Sequence, residues 1–195
     1  MFIISMVALT TSAIFTILLV HYRTNDLVSL EDSKLLTAAE LSRELLGPDY
    51  HDRLVDETSV SEEQFRRIVA RNDDLCRRLN LQYLWSVLLV DNRFVFTSAT
   101  HADLRDPASP CAAFFETHRD PTAFAPAMRA GLTPTFSTFH NEWGEGRMVL
   151  IPRKDALGRT YMMGASVQLS ERNAMIRRTV MTSAGIGLAV ISGAF

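Results

Sequence analysis

A chain of 195 residues with a net charge of −2 has room for one domain of ordinary size with a sizeable core. It contains no polybasic block and no low-complexity tract, which argues against nucleic acid as a partner. Arginine dominates the cations, Lys34 and Lys154 being the only lysines, a bias that suits planar recognition of carboxylates but that base composition alone also produces.

The first element in chain order is apolar. Met1 to Val20 contains no charged residue and matches the roughly 20 residues a helix needs to cross hydrocarbon. A cleaved signal peptide would begin with basic residues and end in a small-residue cleavage site. This chain instead opens Met1-Phe2-Ile3 and runs from Leu18-Leu19-Val20 into His21-Tyr22-Arg23, so 1–20 reads as a transmembrane helix. Thr24 to Leu46 keeps helical composition, with Leu27, Leu30, Leu35, Ala38, Leu41 and Leu45 forming a loose apolar stripe, until Gly47-Pro48 ends it. It reads as a stalk helix leaving the membrane.

A second helix is expected from Ser61, where Ser61 and Gln64 have capping-box spacing and Glu62 and Glu63 suit the positive end of the helix dipole. Phe65, Ile68, Val69, Cys76 and Leu79 give it one apolar face. The two cysteines, Cys76 and Cys111, would pair in an oxidising compartment. Cys76 on that apolar face reads better as core.

From Gln82 the pattern becomes that of strands. Tyr83 to Val90 and Arg93 to Ser98 flank the turn residues Asp91-Asn92. Thr135 to His140, Arg147 to Ile151 and Thr160 to Val167 follow, joined by 141–146 and 154–158. In the segment between the two groups, Asp120-Pro121 marks a helix cap and first position ahead of a short helix, Phe124 to Ala130. Helices followed by five strands in a two-then-three arrangement imply an α+β domain with an antiparallel sheet.

The chain closes with a helical Ser170 to Arg178 and a second uncharged run, Thr179 to Phe195, rich in glycine and alanine. This run reads as a second transmembrane helix interrupted near its far end. The domain then occupies 24–178 between two spans. Arg23, Arg172, Arg177 and Arg178 all lie on its side of the membrane, which by the positive-inside rule favours a cytoplasmic domain.

The stretch NEWGEGRMVLIPRKDALGRTYMMGASV, preceded by the hairpin YLWSVLLVDNRFVFTSAT, resembles the extracytoplasmic PAS-like sensor domains called Cache or PDC domains. The resemblance rests on Trp143-Gly144, Ile151-Pro152, Asp155 with Gly158, and Gly164, and extends over roughly Thr24 to Arg178. It implies a PAS-like five-stranded antiparallel sheet with a long N-terminal helix, on the outer side of a bacterial inner membrane, opposite to the side the arginines favour. It also implies a receptor input module, dimeric, ahead of a kinase, a cyclase or phosphodiesterase, or a chemoreceptor output, with a small metabolite bound between the sheet and its covering loop. The residue set that marks amino-acid-binding members is not recognisable here.

A pocket of that kind needs aromatic walls and a few convergent polar groups. Tyr83 and Trp85 share one face of their strand and Tyr161 lies on the last strand, although aromatic residues in strands also serve as plain core. His101, His140 and Arg147 are the polar candidates, since an anionic ligand needs cationic donors. His140 and Arg147 flank the turn and are expected to face each other across its mouth, unless they are routine surface charges. His101, Asp103, Cys111, His118 and Asp120 are metal-ligating types within one loop, but no pair has zinc-site spacing, and no metal or cofactor is expected. No catalytic motif is present, so the segment is not expected to be an enzyme. The competing expectation is a membrane-anchored dimerisation or docking module whose pocket is filled by its own side chains.

Overall fold

The computed structural model describes residues 2–141 and 144–169, with 177, 178, 181, 182 and 185. The side chains of 2–9, 12, 121 and 141 fall outside that description. Residues 1–31 with 169–195 form one compact unit and 32–168 another. In the first unit the described chain is helical, and Ile14, Phe15, Ile17 and Leu18 are exposed.

Among the described residues no helix is long and apolar enough to cross a membrane. The side chains of 1–9 and most of 179–195 lie outside that search, as does the bulk of the helix expected over Ser170 to Arg178.

Helix α1 covers Phe2–Leu46, so the expected stalk is part of a continuous helix. Helix α2 (Glu62–Leu79) starts as its sequence dictates. The Ser61 hydroxyl accepts the Gln64 amide at 3.3 Å, and the Gln64 side chain accepts the Ser61 amide at 3.1 Å. Asn80 ends the helix in the left-handed region, at φ 50°.

The strands are β1 (Tyr83–Val90), β2 (Arg93–Ser98), β3 (Thr135–Asn141), β4 (Gly144–Lys154) and β5 (Thr160–Gln168), all antiparallel in the order β2-β1-β5-β4-β3. Asp91 and Asn92 both take positive φ, 47° and 61°, the turn that matches the twist of a two-residue hairpin. Strand β4 is longer than the expected Arg147 to Ile151 and runs through Pro152. Its imino nitrogen costs no ladder bond to β3, because β3 begins at Thr135, opposite Leu150. Between the two groups of strands, the Asp120 side chain accepts the Thr122 amide at 2.9 Å and caps a 3-10 turn (Pro121–Phe124) that leads into α3 (Ala125–Arg129). Cys76 is buried core and both cysteines are free thiols, so the expected alternative of a disulfide is not realised.

Alternation divides the sheet into two apolar faces. On one, Leu84, Leu88, Val149, Ile151, Tyr161, Met163, Ala165 and Val167 pack with Leu35, Ala38 and Ala39 of α1 and with Cys76 of α2. The other carries Val87, Phe94, Met148, Leu150 and Met162, covered by Phe124 and Ala127.

Candidate functional site: a cavity between the sheet and its covering segment

On the second face the cover does not close onto the sheet. A cavity of about 320 Å³ remains, floored by Trp85, Phe96, Met148 and Ser166, bordered by Tyr83, and closed by Ala112, His118, Ala123, Phe124, Ser137 and Phe139. Two glycines shape its floor. A Cβ at Gly164 would lie 2.3 Å from the Trp85 indole, and one at Gly146 would lie 2.5 Å from the Phe139 ring. Each aromatic ring therefore lies where a neighbouring strand has no side chain.

The covering segment is fixed along the sheet edge. Phe96 donates its amide to Glu116 O at 2.9 Å, Phe115 donates to Phe96 O at 2.8 Å, and His118 donates to Phe94 O at 2.7 Å. Phe115 holds φ 63°, a costly conformation for a bulky residue, as the segment turns along β2. His118 then stacks over Phe96 at 5.2 Å and meets the Phe124 ring edge-on at 4.7 Å. Its Nδ1 accepts the Asp120 amide at 3.1 Å. The Asp120 carboxyl is lowered from its ordinary pKa, chiefly because the Thr122 hydroxyl donates to it.

The polar group that stands out is Ser166. Its side chain is fully buried on the cavity floor, and its hydroxyl has no hydrogen-bond partner among the described residues. Buried polar groups are normally satisfied, so this hydroxyl is an exception on the cavity floor.

Of the expected site residues, Tyr83, Trp85 and His140 border this cavity. His140 is exposed, and Ser137 and Phe139 are the strand neighbours whose alternation places them over the floor. Burial raises the Tyr83 hydroxyl above its ordinary pKa.

Arg147, Tyr161 and His101 are elsewhere. Arg147 lies on the helix-covered face, where Nε and Nη2 donate to the two Asp32 oxygens at 2.5 and 2.7 Å, and it does not face His140. Tyr161 lies on that same face, stacked on His51 with ring centroids 3.9 Å apart. His101 ties the covering segment to α2, its Nδ1 lying 2.6 Å from an oxygen of the buried Asp73. It borders a second cavity of about 350 Å³, with Phe65, Val69, Cys111 and Phe114. Burial pushes the Cys111 thiol up to about 12, so it is an inert thiol there.

The sequence reading missed Phe96, His118, Phe124, Phe139 and Ser166. Gly164 was noted only as a strand-end glycine, yet its place opposite Trp85 was the available signal for the floor. Among the described residues no three His, Cys, Asp or Glu side chains converge as a metal site requires.

A five-stranded antiparallel sheet in this order, with a long helix on one face and a cavity under a loop on the other, is the fold expected of PAS-like Cache, or PDC, sensor domains. Solved structures of such domains match this one. The sensory domain of the Campylobacter jejuni chemoreceptor Tlp3 with isoleucine bound matches at 6% identity and TM-score 0.56, over 88% of this chain and 65% of that one. The ligand-binding domain of Tlp3 in complex with L-valine matches at 7% identity and TM-score 0.55, over 88% of this chain and 66% of that one. The sensor domain of Escherichia coli DcuS is also matched, at 12% identity and TM-score 0.48, over 75% of this chain and 96% of that one. This chain thus spans about two thirds of the length of the chemoreceptor domains it resembles. No family model and no curated protein matches it.

Proposed function

We propose that residues 32–168 are a sensory ligand-binding module and that a small molecule occupies the cavity under the 111–126 segment. The observation that carries this reading is the cavity itself: about 320 Å³, walled by aromatic rings, with the buried Ser166 hydroxyl unpartnered among the described residues on its floor. Small-molecule sites have this composition, an apolar concavity with few fixed polar groups. The Tlp3 domains of like fold hold isoleucine and L-valine. A docking module with a filled interior would not leave this space open.

The module is anchored in a bacterial inner membrane by 1–20 and 179–195, faces the extracytoplasmic side, works as a homodimer and drives a downstream output domain. The uncharged runs and the exposure of Ile14, Phe15, Ile17 and Leu18 support the anchor. A ligand shifts signalling only by preferring one of two arrangements of the module.

The test is a melting-temperature screen of the chain in detergent against small metabolites, run beside Ser137→Trp and Ala123→Trp. Both substitutions fill the cavity from its half-buried wall. A ligand that raises the Tm of the parent and of neither variant supports the reading. Ligands that stabilise parent and filled variants equally would place binding elsewhere and defeat it.

A further inference from the structure

We propose that the cavity over the sheet selects a small organic ammonium ion, a protonated amine on an apolar body, against ligands that carry a carboxylate. The inference rests on the sensory reading above and names the ligand class for the same cavity.

The walls come first. Tyr83, Trp85, Phe96, Phe124 and Phe139 surround the space, and aromatic faces attract cations and repel anions.

Charge comes second. No lysine or arginine among the described residues lines the cavity. The arginines of the neighbouring strand are committed on the opposite face, Arg147 to Asp32 and Arg153 to Glu40 at 2.6 Å. The His118 imidazole is engaged by the Asp120 amide, which donates to its Nδ1. The carboxylate on the wall is Asp120, which the Thr122 hydroxyl and amide hold ionised. A ligand carboxylate entering here would lose its hydration and meet aromatic faces and a like charge. An ammonium group would meet the opposite charge.

The third observation is Ser166. Its buried hydroxyl has no partner among the described residues and gains one from an N–H donor that parts the side chains over it, while the exposed Asp120 offers its oxygens at the rim. An ammonium with two or three N–H bonds has donors enough for both. A tetraalkylammonium has none and would leave Ser166 unsatisfied.

Three probes built on the same branched apolar body separate the possibilities: isoamylamine, L-leucine and 4-methylpentanoate, titrated calorimetrically into the full chain at neutral pH. The expected result is binding of isoamylamine about tenfold or more tighter than either carboxylate-bearing probe. Asp120→Asn, which keeps the cap to Thr122, and Ser166→Ala should each weaken the amine about tenfold, with circular dichroism and Tm reporting that both variants fold. Tighter binding of leucine or 4-methylpentanoate, lost in Ser137→Trp, would overturn the ammonium assignment and leave the sensory reading standing. Amine binding unchanged in Ser137→Trp and Asp120→Asn would overturn both. If none of the three probes binds, the ammonium assignment fails, and the metabolite screen still decides whether the cavity is a site.

Discussion

The two faces of the sheet are built from alternate residues of the same strands, yet one is full and the other is hollow. On the helix-covered face, Ala38 and Ala39 of α1 belong to the same buried cluster as Val149, Ile151 and Met163, and two ion pairs, Asp32–Arg147 and Glu40–Arg153, join the helix to β4. Several polar groups buried there are hydrogen-bonded. The Tyr50 hydroxyl donates to Thr97 O at 2.6 Å, His51 Nε2 lies 3.2 Å from Thr97 Oγ1, and Ser86 Oγ meets Thr97 Oγ1 at 2.7 Å and Ser98 Oγ at 2.8 Å. Arg159 locks the β4–β5 turn beside them, bound to Asp155, His51 O and Leu54 O. On the cavity face the segment between β2 and β3 replaces the long helix, a cavity remains beneath it, and the buried Ser166 hydroxyl has no described partner. Packing is concentrated on the first face and open space on the second.

Truncation should expose that asymmetry most strongly. Ile151→Ala removes a fully buried side chain from the packed face and should cost about 2–5 kcal/mol in denaturant melts. Met148→Ala, beside the existing cavity, should cost less than half as much. Equal losses would show that both faces are packed alike.

Acid should attack the packed face next. Burial lowers the His51 pKa from 6.5 to about 3, so the folded state resists a proton that the unfolded chain takes up below 6.5. His51 therefore leaves stability intact above pH 6.5 and withdraws it as pH falls toward 3, at up to about 1.4 kcal/mol per pH unit. The groups nearest it, Asp155 and Arg159, act in opposite directions. Melts of the parent and of His51→Gln between pH 7 and 4 check this, and the variant should show the shallower decline.

A smaller loss, about 1–3 kcal/mol, is expected for Arg147→Ala, whose forked bond to Asp32 is largely buried. A cycle with Asp32→Asn should show strong coupling, whereas the exposed pair Arg66–Glu62 should show almost none.

The smallest effect is also the most diagnostic. Ser166→Ala should change stability by less than about 0.5 kcal/mol, or raise it, because the hydroxyl has no described bond to lose. Ser86→Ala, equally buried but doubly bonded, should cost about 1–2 kcal/mol. Reversal of that order would mean that Ser166 is already satisfied.

Much of this architecture is written locally in the sequence. Ser61 with Gln64, Asp91-Asn92 and Asp120-Pro121 specify their caps and turn through side chains within three residues of one another, and each forms as expected. Tyr83 and Trp85 were placed on one face by alternation alone. Local pattern could not tell which face α1 would cover. Both faces of β4 and β5 are apolar, so Arg147 and Tyr161 looked as eligible for the cavity as Met148 and Ser166. The pairings that decide it, Arg147 with Asp32 and His101 with Asp73, join residues 115 and 28 positions apart. The glycines opposite Trp85 and Phe139 carried the missing signal, since a strand glycine marks a close approach.

The central claim, that the hollow face is where a small molecule binds, is tested most directly by the indole N–H resonances of the two tryptophans, with Trp85 assigned through Trp85→Phe. Addition of any compound that raises the Tm should shift the Trp85 resonance in a saturable way, and the shift should vanish in Ser137→Trp. A stabilising ligand that leaves the Trp85 resonance unmoved at saturation would contradict the account.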